Sequence, residues 1–210
     1  MARDSRGQAH TLEAVAAAIV LLSAILFALQ VTAVTPLSGS TSNQHIETQQ
    51  AELAQGLLAG EAENGSLKRT LLYYNTSAED DGFHGATGGR GQYDGTLPTG
   101  PDAPAFGPAL SETFLERGTA VNVDLYYLRD GDRRRQPLIE LGTPSDHAAT
   151  ATHRVTLFEA DAILGSDGTP TDETVAEAAS NGTYFVDRDV DGTNSPVFNV
   201  VEVEVTVWRM

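Results

Sequence analysis

AVAAAIVLLSAILFALQVTAV, residues 14–34, is the stretch that divides the chain. It holds no charge, proline or glycine, and only Ser23, Gln30 and Thr32 interrupt it with polar side chains. As a helix rising about 1.5 Å per residue it reaches roughly 31 Å, the hydrocarbon thickness of a bilayer. Residues 14–34 therefore predict a transmembrane helix, with the polar remainder folding apart from it.

The flanks orient that helix. Arg3 and Arg6 precede it, and no Lys or Arg follows until Lys68. The positive-inside bias places residues 1–13 in the cytoplasm and the rest of the chain outside, a single-pass arrangement in the cell membrane. Three sequons, beginning at Asn64, Asn75 and Asn181, fall on the exported side as candidate glycosylation sites. Val31-Thr32-Ala33 would also serve a signal peptidase. The length of the apolar run, beyond the usual 7–15 residues, and Glu13 at its threshold favour a retained anchor.

Net charge is −16 over 210 residues. Arg3, Asp4, Arg6 and Glu13 cancel among the first 34 residues, so the whole imbalance belongs to the exported part. Such a surface repels nucleic acid, and membrane lipid is met only through the apolar helix. Lys68 is the only lysine, and this acid-rich, lysine-poor composition resembles that of proteins from extreme halophiles. With no cysteine, disulfides, thiolate metal sites and thiol nucleophiles are excluded.

Beyond the helix, residues 35–43 read as a short Ser/Thr spacer, and residues 44–210 as one acidic α+β domain. Helical spacing runs over 44–59 and resumes at Ser66. Residues 80–108 carry eight glycines and four prolines with little aliphatic content, predicting a flexible exposed loop. Residues 108–117 read as a helix stopped by Gly118. Alternation then gives a strand over 121–127, an Asp130-Gly131 turn with Arg133-Arg134-Arg135 at the tip, and a returning strand at 138–141. A third strand is expected at 154–159. Thr169-Pro170-Thr171-Asp172 reads as a capping box opening a helix to about Ser180, closed by Asn181-Gly182. A fourth strand is expected at 183–186, and the clearest alternation, VFNVVEVEVTVW at 197–208, predicts the last. The fold expected is α+β: an N-terminal transmembrane helix, then an extracytoplasmic antiparallel sheet with short helices on one face.

No catalytic signature stands out, and the chain reads as a non-enzyme. The histidines, at 10, 45, 84, 147 and 153, show no HExxH spacing, and no GxSxG elbow is present. Asp187-Arg188-Asp189-Val190-Asp191-Gly192 matches the first six positions of an EF-hand-like loop, nominating Asp187, Asp189 and Asp191 as Ca²⁺ ligands. Position 12 is Phe198, where that loop carries a bidentate glutamate.

Arg6-Gly7-Gln8-Ala9-His10-Thr11-Leu12-Glu13, followed directly by the apolar helix, resembles the N-terminus of archaeal type IV pilin-like proteins with a class III signal. The resemblance covers roughly residues 3–34. It implies that a prepilin peptidase cuts between Gly7 and Gln8. It also implies that Glu13 is the threshold acid that meets a neighbouring subunit's new N-terminal ammonium during assembly. Counted from Gln8, Glu13 stands sixth where the family has its acid fifth, a rotation of about 100° around the helix. The function expected is that of a pilin-like surface protein acting through helix-mediated assembly or display of its head, with other pilin-like subunits as partners. The alternative is a membrane-anchored binding module, with Ca²⁺ as its candidate ligand.

Overall fold

The computed structural model describes residues 4–77, 82–89, 91–95, 97–98, 100, 102–189 and 195–209, with side chains excluded at 4–9 and 31–43. The chain forms two units, Met1–Ile46 and Glu47–Met210. The architecture is α+β, an N-terminal apolar helix followed by antiparallel strands and short helices.

Helix α1 spans Asp4–Glu63 and contributes to both units. In the first unit, His10–Gln30 is long and apolar enough to cross a membrane, and none of it is buried. Ser23 donates its hydroxyl to the Ile19 carbonyl at 2.8 Å, so this polar interruption is satisfied within the helix itself. Residues 35–43, expected as a spacer, are helical backbone within α1. Once a helix is nucleated on both sides, each added residue except Pro36, which has no N–H, gains a backbone hydrogen bond, and the local turn signal is overridden.

In the second unit the core is organised by β8 (Val197–Arg209), whose Val201, Val203, Val205 and Val207 are all buried. It lies between β3 (Thr119–Arg129) and β5 (Ala149–Phe158), with β4 (Asp132–Ile139) outside β3, giving the order β4-β3-β8-β5. All pairs are antiparallel, with Val123 and Ala151 flanking Val205. Period-two alternation puts the valines on one face, where Leu58 of α1, Leu67 and Leu71 of α2 (Ser66–Leu72), and Phe106 and Leu110 of α3 (Phe106–Thr113) join one core. The other face carries charge. Glu202 is held between Arg133 (2.7 Å) and Arg154 (3.1 Å), and Arg135 reaches Asp124 at 2.8 Å.

Several local expectations are corrected. The helix expected over 44–59 runs on to Glu63, where Asn64-Gly65 ends it, Gly65 at φ 79°. The described residues within 80–108 do not form an exposed loop: β2 (Gly82–Phe83) pairs with β1 (Tyr74–Asn75), and Phe83, Tyr93, Leu97 and Phe106 are buried. A few large side chains anchor an otherwise glycine-rich segment. Gly107 permits the close approach, since a Cβ there would lie 2.6 Å from Leu97 Cβ. The Tyr93 amide also donates to Leu138 at 2.9 Å, tying this segment to the end of β4.

The arginine run lies within β4 and not at the hairpin tip. The tip is Asp130-Gly131 alone, with φ 53° and 79°, the paired left-handed conformation of a two-residue hairpin turn. The helix expected over 108–117 is split into α3 and a 3₁₀ turn, Leu115–Arg117, before Gly118 at φ 73°. Thr169–Asp172 does not cap a helix, because Pro170–Thr174 forms β7 and pairs with β6 (Ala162–Leu164). The capping box sits one element later. Thr174 accepts from the Glu177 amide, and Glu177 accepts from the Thr174 amide at 2.9 Å, opening α4 (Val175–Ser180). Residues 183–186 form no strand, since Tyr184, Phe185 and Val186 turn into the core instead of pairing.

Candidate functional site

Two features stand out, one in each unit. The first is the exposed apolar helix. At its entrance His10 Nδ1 lies 3.7 Å from a Glu13 carboxylate oxygen, one helical turn away, and both side chains are exposed. The Glu13 carboxylate is thus accessible, with a histidine beside it. Gly7 and Gln8 are helical backbone in α1, and the Gln8 side chain lies outside the described residues.

The second is a cleft of about 660 Å³ in the head, between the segment around β2 and the end of β3. Its floor is an aromatic cluster. Phe185 packs against Tyr184 at 4.8 Å, Phe83 at 5.3 Å and Tyr127 at 5.7 Å between ring centroids, and Tyr74 meets Tyr184 edge-on at 5.3 Å. Such tilted and edge-to-face contacts suit the ring quadrupoles. Burial raises the pKa of Tyr127 and raises that of Tyr184 far more, so both phenols stay protonated at neutral pH. The Tyr184 hydroxyl donates to the Leu71 carbonyl at 2.9 Å. At the rim, Arg129 is neutralised by an ion pair with Asp187.

That ion pair bears on the loop nominated for calcium. Asp187 serves Arg129, and its backbone carbonyl accepts from Asn199 Nδ2 at 2.8 Å. The Asp189 amide donates to the Phe198 carbonyl at 3.3 Å, and Arg188 pairs with Glu159. Asp191 lies outside the described residues. Among the described residues no three His, Cys, Asp or Glu side chains converge as a metal site. His147 is bonded through Nδ1 to Glu47 at 2.8 Å.

The three sequons differ in setting. Asn64 is exposed but Ser66 is buried at the start of α2. Asn75 is half-buried in β1, opposite Gly82. Asn181 is exposed at the end of α4.

The cleft was not foreseen from spacing. Its signal was present in the aromatic pairs Tyr73-Tyr74, Tyr126-Tyr127 and Tyr184-Phe185, which supply Tyr74, Tyr127 and both rings of the third pair to the cluster. The Glu202 cluster had a weaker signal, because pairing across β3, β4, β5 and β8 is needed to assemble it.

Comparison with curated proteins and with solved structures finds no match. A family model does match, over residues 6–207, which takes in the apolar helix and the head together. The chain belongs to that family, a family of unknown function designated DUF7288.

Proposed function

We propose that this chain is a non-enzymatic, membrane-anchored surface protein of the pilin-like kind. In this reading residues 14–34 hold it in the cell membrane, the N-terminus is cytoplasmic, and the acidic head stands outside. One observation carries the reading: His10–Gln30 is continuous apolar helix with none of its surface buried. Twenty-one residues of this kind in water would expose a large apolar surface, which lipid or the helices of sister subunits would cover. Supporting it are the Gly7-Gln8 junction before the helix and the exposed Glu13 carboxylate beside His10. Processing after Gly7 would create an ammonium near that carboxylate, and pairing between subunits would offset the cost of carrying either charge into an apolar assembly.

N-terminal mass spectrometry of the chain from its native membrane tests the proposal. A mature N-terminus at Gln8, lost when the prepilin peptidase is deleted, is the expected result. An intact N-terminus in membrane-held protein would reduce the chain to an unprocessed anchor.

A further inference from the structure

We propose that Asn181 is the position at which the folded head carries an N-linked sugar, and that Asn64 and Asn75 stay bare. This rests on the reading that the head is outside the membrane, since sugar transfer to sequons occurs there. The selection among the three sequons comes from the geometry.

An N-x-Ser/Thr acceptor needs an asparagine amide that reaches solvent and a third residue that the transferase can engage. At Asn64 the second condition fails. Ser66 is 4 % exposed and opens α2, while Asn64 Oδ1 is engaged by the Ser66 amide at 2.8 Å. Presenting that serine would mean unwinding a helix whose Leu67 and Leu71 are in the core. At Asn75 the first condition fails. The residue is half-buried within β1, and its Oδ1 accepts the Ser77 amide at 3.1 Å.

Asn181 meets both. It is exposed, and its side-chain amide makes one long contact, 3.4 Å to Oε1 of Glu173, a half-buried carboxylate whose Oε2 accepts from Thr76 at 2.6 Å. Gly182, at φ 72°, projects the turn outward, and a Cβ built on it would touch nothing within 4 Å. Thr183 is half-buried and donates its hydroxyl (3.1 Å) and its amide (3.0 Å) to the Ala178 carbonyl, both at a helix end, where local opening is least costly.

The donor class is a sugar carried on a lipid phosphate. A bond forms between Asn181 Nδ2 and the anomeric carbon, and the bond from that carbon to the phosphate oxygen breaks. The oxygen leaves with the electron pair, and the amide proton passes to a base on the transferase. No oxidation or reduction is involved.

The test is glycopeptide mass spectrometry on full-length chain from its native membrane, run beside protease shaving of intact cells. The expected result is a sugar-modified peptide at Asn181 and unmodified peptides at Asn64 and Asn75. Asn181→Gln and Thr183→Ala should each abolish the modification, and Thr183→Ser should retain it, which separates sequon loss from misfolding of the turn. A bare Asn181, or a sugar on Asn64, overturns the proposal. If Asn181 is bare and the head is shaved, the topology stands and the site assignment alone fails. If it is bare and the head is protected, the topology falls with it.

Discussion

Tyr184, from the segment after α4, donates its hydroxyl to the backbone carbonyl of Leu71 at 2.9 Å, and the pair is buried. Leu71 lies in the last turn of α2, where carbonyls lack a partner within the helix, so a distant phenol completes the helix end. Tyr184→Phe keeps the ring and leaves that carbonyl without its donor. The expected loss is about 1–3 kcal/mol, read as a lower denaturation midpoint of the full chain in detergent.

The same burial sets an alkaline limit. Tyr184 and Tyr93 are held protonated well above the usual phenol value of about 10, chiefly by desolvation. Below pH ~10 both folded and unfolded chains keep these protons and stability is unaffected. Above it the unfolded chain releases protons that the folded chain retains, so stability falls as pH rises. Denaturation midpoints from pH 8 to 11 should drop past pH ~10, and less steeply in Tyr184→Phe.

Thr174 and Glu177 form a reciprocal cap at the start of α4, and Glu177 has its pKa lowered by the Thr174 amide and then the Thr174 hydroxyl. Thr174→Ala is expected to cost about 0.5–2 kcal/mol, with Thr174→Ser close to wild type. Because the carboxylate is favoured in the folded chain, its contribution is present above the ordinary glutamate value of 4.5 and fades as pH falls below it. Thr174→Ala should therefore lose part of its disadvantage in acid, keeping the share that comes from the Glu177 amide bond to the Thr174 hydroxyl. A deficit that persisted unchanged at pH 3 would contradict the carboxylate's part in the cap.

In the apolar helix, Leu22 is exposed near the middle of the His10–Gln30 run. Leu22→Arg places a charge where insertion costs about 2.5–3.5 kcal/mol more. The variant is expected to shift toward the alkaline-carbonate-soluble fraction of a membrane preparation, whereas Leu22→Ile should stay in the pellet. Unchanged partitioning of the arginine variant would argue that this helix is not the membrane-held element.

What could be read from residues alone follows from the range of the signals. Alternation at 197–208 and 121–127 is local, and those strands stand where they were expected, within one or two residues for β8. The glycine-rich segment misled because composition averages over its anchors. Phe83, Tyr93 and Phe106 are sparse, yet each is buried. The capping motif at Thr169 misled because a strand pairing with β6 outweighed a local cap, while Thr174-x-x-Glu177 carried the same signature five residues on. The aromatic cleft depends on residues more than a hundred positions apart, such as Tyr74 and Phe185, and no spacing rule brings them together. The charge on the second face of the sheet was visible as alternating Glu202 and Glu204, but its arginine partners were not.

The order β4-β3-β8-β5 also sets a schedule. Synthesis delivers β3, β4 and β5 before β8, yet β8 is the strand that joins the β3–β4 hairpin to β5. Until residues 197–209 emerge, the hairpin and β5 each present an unpaired edge, and the valine wall that closes the core is missing. The head is therefore a latch that closes late. A ribosome stalled before residue 197 should hold a protease-sensitive head, and the released full chain a resistant one.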